Sequence, residues 1–224
     1  MNSRIVAELL ESFPKLLLPG LKVTLPLTAL SFTIGIAIAL ATALVQIAHI
    51  PVLRRLARVY IWIIRCTPMI VQLFVVYFGL PNIGICLDSF VIDHEHVHLA
   101  FSISVGAYCS ETIRAAIESV SAGQMEAGYC AGLTFGQTMF HVIIPQALST
   151  AFPPLSNALI GLVKDTSLAY SVALVEILAS AQRIAARTYD YLWLYLEAAG
   201  IYLIFCSILT VVQHKAEKYL EKRR

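Results

Sequence analysis

Charge is what this sequence has least of. Only 13% of its 224 residues are Asp, Glu, Lys or Arg, against 58% hydrophobic. The mean hydropathy of +0.77 lies far above that of an average soluble domain. Cysteine is also scarce: Cys66, Cys86, Cys109, Cys130 and Cys206 are odd in number, lack metal-ligand or redox spacing, and read as packing residues. No G-x-x-x-x-G-K-[S/T] phosphate loop occurs. The nearest string, Gly161-Leu162-Val163-Lys164-Asp165-Thr166, has neither the glycines nor the Lys-Ser/Thr ending, so ATP is not bound by this chain alone. No Ser/His/Asp or Cys/His set marks a catalytic centre. Asp93-His94-Glu95-His96-Val97-His98 gathers possible metal ligands without HExxH spacing and reads as solvated or interfacial. Nothing calls for a metal or a nucleic-acid partner.

What is present is a series of apolar runs, each long enough for a membrane-spanning helix of ~20 residues. They predict an all-α membrane protein, one domain over residues 1–224, with about five spans: Leu16 to Ile47, Val59 to Leu80, Val97 to Glu118, Pro154 to Leu178 and Tyr191 to Val212. The first run is longer than the apolar core of a signal peptide, so it is expected to stay as a membrane helix. It also exceeds one span. Its opening, with Pro14, Pro19, Gly20 and Pro26, reads as an interfacial approach helix or a broken turn.

Basic residues resist translocation and so orient the chain. With a cytoplasmic C-terminus, the inside holds Arg54, Arg55, Arg58, Lys215, Lys218, Lys222, Arg223 and Arg224. The outside then holds only Arg4, Lys15, Arg183 and Arg187. Five spans place the N-terminus outside and the loop 119–152, between spans 3 and 4, in the cytoplasm.

That loop carries its own helix punctuation. Ser121 with Gln124 has the spacing of a capping box, and Gly132 can take the left-handed conformation that closes a helix. Thr134 with Gln137 forms a second box, and Pro145 is expected to end that helix by restricting Ile144. Glu126, Ala127, Gly128 and Ala131 leave small side chains around one carboxylate, which a partner's backbone could approach closely. From composition alone, a docking site and an interfacial helix pair resting on its own membrane domain are both open.

Three sets of polar residues fall within the spans. Lys164 and Asp165 lie about ten residues into the fourth, roughly 15 Å deep at 1.5 Å per residue. A central charge is disfavoured by about 3 kcal/mol on insertion scales, so these residues face the bundle interior or a water-filled path. Thr166 and Ser167 extend the island and Asn157 lies two turns earlier; together they could replace the hydration of a zwitterion, or Lys164 and Asp165 could each serve a structural ion pair. On the second span, Pro68 frees a carbonyl near Thr67, and Gln72 shares that face, either lining a gate or cushioning a bend. On the third, Glu111, Arg114 and Glu118 share one face as a structural ion network at the helix end.

Glu126-Ala127-Gly128, then Gly132, then Val142-Ile143-Ile144-Pro145 resembles the loop of bacterial ABC importer permeases: Glu-Ala-Ala, three residues, Gly, nine residues, Ile-x-Leu-Pro. The spacing matches throughout; Gly128, Val142 and Ile144 depart from it. Arg65-Cys66-Thr67-Pro68, Val71-Gln72-Leu73, Glu111-Thr112-Ile113-Arg114-Ala115-Ala116-Ile117 and Lys164-Asp165-Thr166-Ser167-Leu168 look like the polar amino acid subfamily, covering about residues 16–213. The resemblance implies that Glu126, Ala127, Gly128, Gly132 and Pro145 belong to a coupling helix seated on an ATPase. It also implies a second permease copy or paralogue, two cytoplasmic ATPase subunits that bind ATP and Mg2+, and an external substrate-binding protein. The run from Val175 to Glu197, with Ala181-Gln182, Ile184-Ala185-Ala186 and Tyr189, is most similar to L-cystine permeases. Gly79-Leu80-Pro81 and Gly84-Ile85 point the same way; glutamine, arginine or another polar amino acid are the alternatives.

A rival reading is an ion-coupled secondary transporter or channel using Lys164 and Asp165 without an ATPase. Five spans with no internal repeat argue against it. A membrane scaffold without transport would leave Lys164 and Asp165 with nothing to do.

Overall fold

Prolines near the N-terminus do not break the first helix; they are absorbed by it. α1 (Ser3–Pro19) and α2 (Leu25–Ile47) join through a π-helical turn, Gly20–Thr24. The rod Arg4–Ile47 is thus 44 residues long, about 66 Å at 1.5 Å per residue. A proline crowds the carbonyl four residues back, and for Pro26 that residue is Lys22, inside the widened turn where the carbonyl is displaced. The opening is therefore neither a broken turn nor a separate approach helix. The computed structural model describes residues 3–48, 50–85 and 94–221, and the described residues include no strand. Cys86, Asp93, Lys222, Arg223 and Arg224 lie outside them.

α3 (Pro51–Cys66) is followed by α4 (Met69–Phe74), a π-helical turn (Val75–Gly79) and α5 (Leu80–Asn82). The expected span from Val59 to Leu80 breaks where the bend at Pro68 was expected, and more sharply than a kink: Pro51–Cys66 and Met69–Asn82 meet at 109° across Thr67 and Pro68. Both residues are extended, since proline disfavours helical geometry in the residue before it.

α6 (Glu95–Glu118) lies along α2. Small residues let the backbones close: a Cβ on Gly35 would sit 2.5 Å from Val105, and one on Gly106 would sit 2.6 Å from Ile38. The cytoplasmic-loop candidates follow as α7 (Ala122–Cys130) and α8 (Phe135–Thr138). A third π-helical turn, Met139–Ile143, leads without a stop into α9 (Ile144–Asp165). Pro145 therefore does not end a helix. It occupies the first turn of α9, where a missing N–H costs least, and the wide turn before it receives the ring.

The fourth expected span also ends differently. After Asp165 the chain tightens into a 3-10 segment, Thr166–Val172, turns at left-handed Ala173 (φ 61), and restarts as α10 (Ile177–Thr188). The helix through Val172 and α10 meet at 51°. α11 (Tyr191–Glu221) closes the fold.

α1–α2, α6 and α11 run one way and α9 the other. α1 and α11 run parallel, since Ser12 bonds Glu197 and Gly20 meets Phe205. α9 opposes α11, with Asn157 against Gln213 and Ile160 against Cys206. α2 and α6 are parallel, with Ser31 beside His98 and Gly35 beside Val105. One apolar cluster joins α2, α6 and α9 with the loop; a second joins α1, α10 and α11. Arg4–Ile47 and Tyr191–Leu220 are each long and apolar enough to cross a membrane, and each bent helix pair passes that test only when its two parts are taken together. Of the cysteines, Cys109 is buried as a packing residue should be, whereas Cys66 and Cys130 are exposed.

Candidate functional site

Two helix breaks lie side by side, because α4 packs against the 3-10 segment. At the first, Pro68 offers no N–H to the carbonyl of Ile64. The Gln72 amide replaces it, Nε2 donating to Ile64 O at 2.7 Å and to Thr67 O and Oγ1 at 3.0 Å. Thr67 Oγ1 donates to Ile63 O at 2.8 Å. Gln72 Oε1 is buried and accepts nothing. Thr67 and Gln72 are thus together, but their donors are committed to the backbone of the bend.

At the second break, Thr166 is fully buried and its hydroxyl donates to Val163 O at 2.7 Å. Ser167 is half-buried, while Lys164 and Asp165 are exposed. Neither has an ion-pair partner at contact distance among the described residues, although both stand at the end of α9. Asn157 does not join them: its Oδ1 accepts from Gln213 Nε2 at 3.2 Å, which ties it to α11. Lys164, Asp165, Thr166 and Ser167 therefore form the compact part of the expected polar island.

The expected ion network forms within α6. Arg114 reaches Glu111 at 2.9 Å and Glu118 at 2.7 Å. Across a cavity of about 660 Å³ stand Arg54, Arg58 and Arg65 of α3. Sequence alone counted Arg54 and Arg58 as loop charges.

In the loop, Gly132 has φ 79. Its N–H donates to Tyr129 O and that of Leu133 to Gly128 O, the paired bonds of a Schellman close. The Thr134 and Gln137 box is made in full. The Ser121 box is not: Ser121 makes no side-chain cap, and Gln124 Oε1 instead accepts from Gln146 Nε2 at 3.3 Å. Glu126 and Ala127 are exposed, as a docking face requires, whereas Gly128 is buried. A Cβ there would lie 2.4 Å from Thr138 Cγ2, so Gly128 serves the α7–α8 contact and not an incoming backbone. Nothing in this chain lies within 4 Å of a Cβ built on Gly132, so the position has room for a side chain. Its constraint is conformational. Pro145, exposed at the base of α9, sits away from that close.

Sequence reasoning missed Glu176. It is fully buried and caps α10, its carboxylate accepting from Leu178 N at 2.9 Å, Ala179 N at 2.7 Å and the Tyr202 hydroxyl. A lone Glu inside the apolar run from Val172 to Leu178 was the available signal. α10 was missed with it, because its residues had been assigned to an outer loop. At the far end of α6, His98 Nδ1 lies 3.1 Å from Ser31 Oγ and His96 stacks edge-on near Tyr77, so both serve helix packing.

The family described as binding-protein-dependent transport system inner membrane component matches residues 31–222. The L-cystine transport system permease protein TcyB of Bacillus subtilis is 46% identical over 213 residues, 95% of this chain and 89% of that protein. The probable glutamine ABC transporter permease protein GlnM of Bacillus subtilis is 37% identical, covering 86% of this chain and 85% of that one. A crystal structure of an amino acid ABC transporter with histidines aligns with a TM-score of 0.85 at 32% identity, over 98% of this chain and 100% of that one. The inward-facing MetNI methionine ABC transporter, at 17% identity and a TM-score of 0.68 over 98% and 99% of the chains, shares the fold.

Proposed function

We propose a specific role for this chain, which belongs to the binding-protein-dependent transport system inner membrane component family: it is the permease subunit of an ATP-driven importer whose substrate is L-cystine. The observation that carries the substrate is the 46% identity to an L-cystine permease over nearly the whole of both chains. Five passes fit the parallel courses of α1–α2, α6 and α11 with α9 opposed to them, and the surplus of basic residues on α3 and at the C-terminal end favours an outer N-terminus and a cytoplasmic loop 119–152.

L-cystine carries an ammonium and a carboxylate at each end. The exposed, unpaired Lys164 and Asp165 supply one charge of each sign beside the bend at Thr67 and Pro68. Discontinuous helices near the membrane midplane suit such a site, because irregular backbone is tolerated where it lines a cavity. Thr166, Ser167 and Thr67 hold the geometry. The energy comes from a partner: two cytoplasmic ATPases bind ATP with Mg2+, and the exposed Glu126 and Ala127 face of α7 is where their closure is felt. A second permease copy or paralogue completes the pathway, and an external binding protein delivers the substrate. This chain itself catalyses no reaction. ATP changes access only by favouring one conformation over another, so the loop must differ in its contacts between the two states.

The test is reconstitution of the chain with its ATPase and binding protein in vesicles, followed by labelled uptake of L-cystine, glutamine and arginine. ATP-dependent L-cystine uptake is expected, with the other two at least tenfold slower. Uptake driven by an ion gradient without ATPase would replace this reading with secondary transport. In the same preparation, Gly132→Asp is expected to abolish substrate-stimulated ATP hydrolysis while the complex still folds. The position is open within this chain and Asp tolerates the left-handed region better than most residues, so the loss arises at the partner. Normal stimulation in that variant removes the docking assignment.

A further inference from the structure

The cavity between α3 and α6 has a charge imbalance that the ion network on α6 does not resolve. Arg114 is matched by Glu111 and Glu118. On the facing wall, Arg54, Arg58 and Arg65 share one face of α3. Arg54 uses its Nε on Gln46 O at 2.7 Å, and Arg58 its Nε on Arg54 O at 3.4 Å. Arg65 lies over the Tyr108 ring, 5.7 Å from its centroid. Among the described residues none of the three has a carboxylate at ion-pair distance, and only Arg65 is partly offset, by the more distant Glu111. Gln46 lines the same cavity and is only 7% exposed; its Nε2 faces the Glu111 carboxylate without completing a full hydrogen bond to it, and so keeps donor capacity.

Three guanidinium groups gathered beside a bilayer repel one another and are costly to desolvate. An oxyanion between them relieves both effects. Each fork can donate two parallel N–H bonds to a carboxylate or phosphate, geometry that a lysine cannot offer. The opposite face of α3 bears Val52, Leu56, Val59 and Ile63, all exposed. The element thus presents an apolar side to lipid tails and a cationic side to the cavity.

We propose that this cavity is an oxyanion-binding site, taking either the phosphate of an anionic phospholipid or the carboxylate or phosphate of a small cytosolic molecule. Arg54 and Arg58 are its main donors and the Gln46 amide is an additional one. The proposal does not rest on L-cystine being the transported substrate.

The experiment measures the thermal midpoint of the permease–ATPase complex without turnover. Phosphatidylcholine nanodiscs are compared with discs containing phosphatidylglycerol, and, in pure phosphatidylcholine, inorganic phosphate and L-cystine are titrated. A guest that binds only the folded state raises the midpoint. Wild type is expected to respond to at least one probe, with the apparent affinity about tenfold weaker in Arg58→Gln and undetectable in Arg54→Gln/Arg58→Gln. Arg55→Gln removes the same charge from α3 outside the cavity and should leave the response intact. A response to phosphatidylglycerol alone assigns the lipid; a response to phosphate, or the part of an L-cystine response that Arg54→Gln/Arg58→Gln abolishes, assigns a small molecule. If the double variant does not fold, Arg58→Gln carries the test, since its backbone bond is the longest of the set. No response to any probe, an unchanged response in Arg58→Gln, or an equal loss in Arg55→Gln overturns the proposal. Because ATP is absent, such a failure is independent of the uptake result.

Discussion

At the scale of single residues, the loop is built around two glycines with opposite reasons for being glycine. Gly132 is required by its backbone, at φ 79 with open space beside it; Gly128 is required by its neighbour, with Thr138 Cγ2 and Oγ1 where a Cβ would go. Gly128 is also the position that departs from the Glu-Ala-Ala pattern of related permeases. The physical account is that Thr138 fills the volume an alanine methyl would occupy. Gly128→Ala is therefore expected to destabilise the α7–α8 contact by about 1–3 kcal/mol, the usual cost of overpacking. Thr138→Ala should recover most of it, because the Thr138 hydroxyl makes no hydrogen bond that would be lost. Hydrogen exchange across Ala122–Thr138 in the two single variants and the double reads this directly. Additive losses, with no rescue, would mean that the close approach is not what selects glycine here.

At the scale of elements, the bend of 109° between α3 and α4 is bridged from its far side by one side chain, Gln72. Gln72→Leu leaves the carbonyls of Ile64 and Thr67 without that donor; the exposed Thr67 carbonyl turns to solvent, and the half-buried Ile64 carbonyl carries the cost, about 1–3 kcal/mol. In a Pro68→Ala background the new N–H can serve Ile64, so the same Gln72→Leu change is expected to cost measurably less. A double-mutant cycle on thermal unfolding gives the coupling, which vanishes if Gln72 acts only through the pathway. These elements also show what was legible in the sequence. The break at Thr67 and Pro68, the Gly132 close, the Thr134 and Gln137 box and the Arg114 network were readable, because each depends on residues within a few positions. Ser121 was misread because Gln124 is recruited across the loop by Gln146, a partner 22 residues away. Pro145 was misread because a widened turn admits a proline that an ordinary turn would reject. α10 was missed because its cap is Glu176: the lone carboxylate in an apolar run was visible, but not that it is buried against Tyr202 of α11 as a helix start.

At the scale of the whole molecule, the long rod, the bent pairs and the opposed course of α9 bring two interruptions from distant parts of the chain to one level. Lys164 and Asp165 remain exposed there, each without an ion pair at contact distance among the described residues, and on the proposed function they meet the substrate. Asp165→Asn is expected to lower ATP-driven L-cystine uptake at least tenfold with little change in the thermal midpoint; unchanged uptake kinetics would leave the residue a structural role only. The rod has one further consequence, a matter of angular phase. Each residue advances an α-helix by about 100°, and the wide turn Gly20–Thr24 accommodates one residue more than an ordinary turn would. Deleting a single residue within it would therefore restore an ordinary turn and keep α1 in its angular phase on α2, whereas deleting Ala29 from the regular turns of α2 would swing everything before the cut by roughly 100°. Ser12 would leave Glu197 only in the second case, while Ser31 would stay beside His98 in both. Cysteines placed at positions 12 and 197 should cross-link in the full-length chain and in the one shortened within Gly20–Thr24, and not in the one lacking Ala29, so that the wide turn is the one place where the rod can lose a residue without changing which helices its two halves recognise.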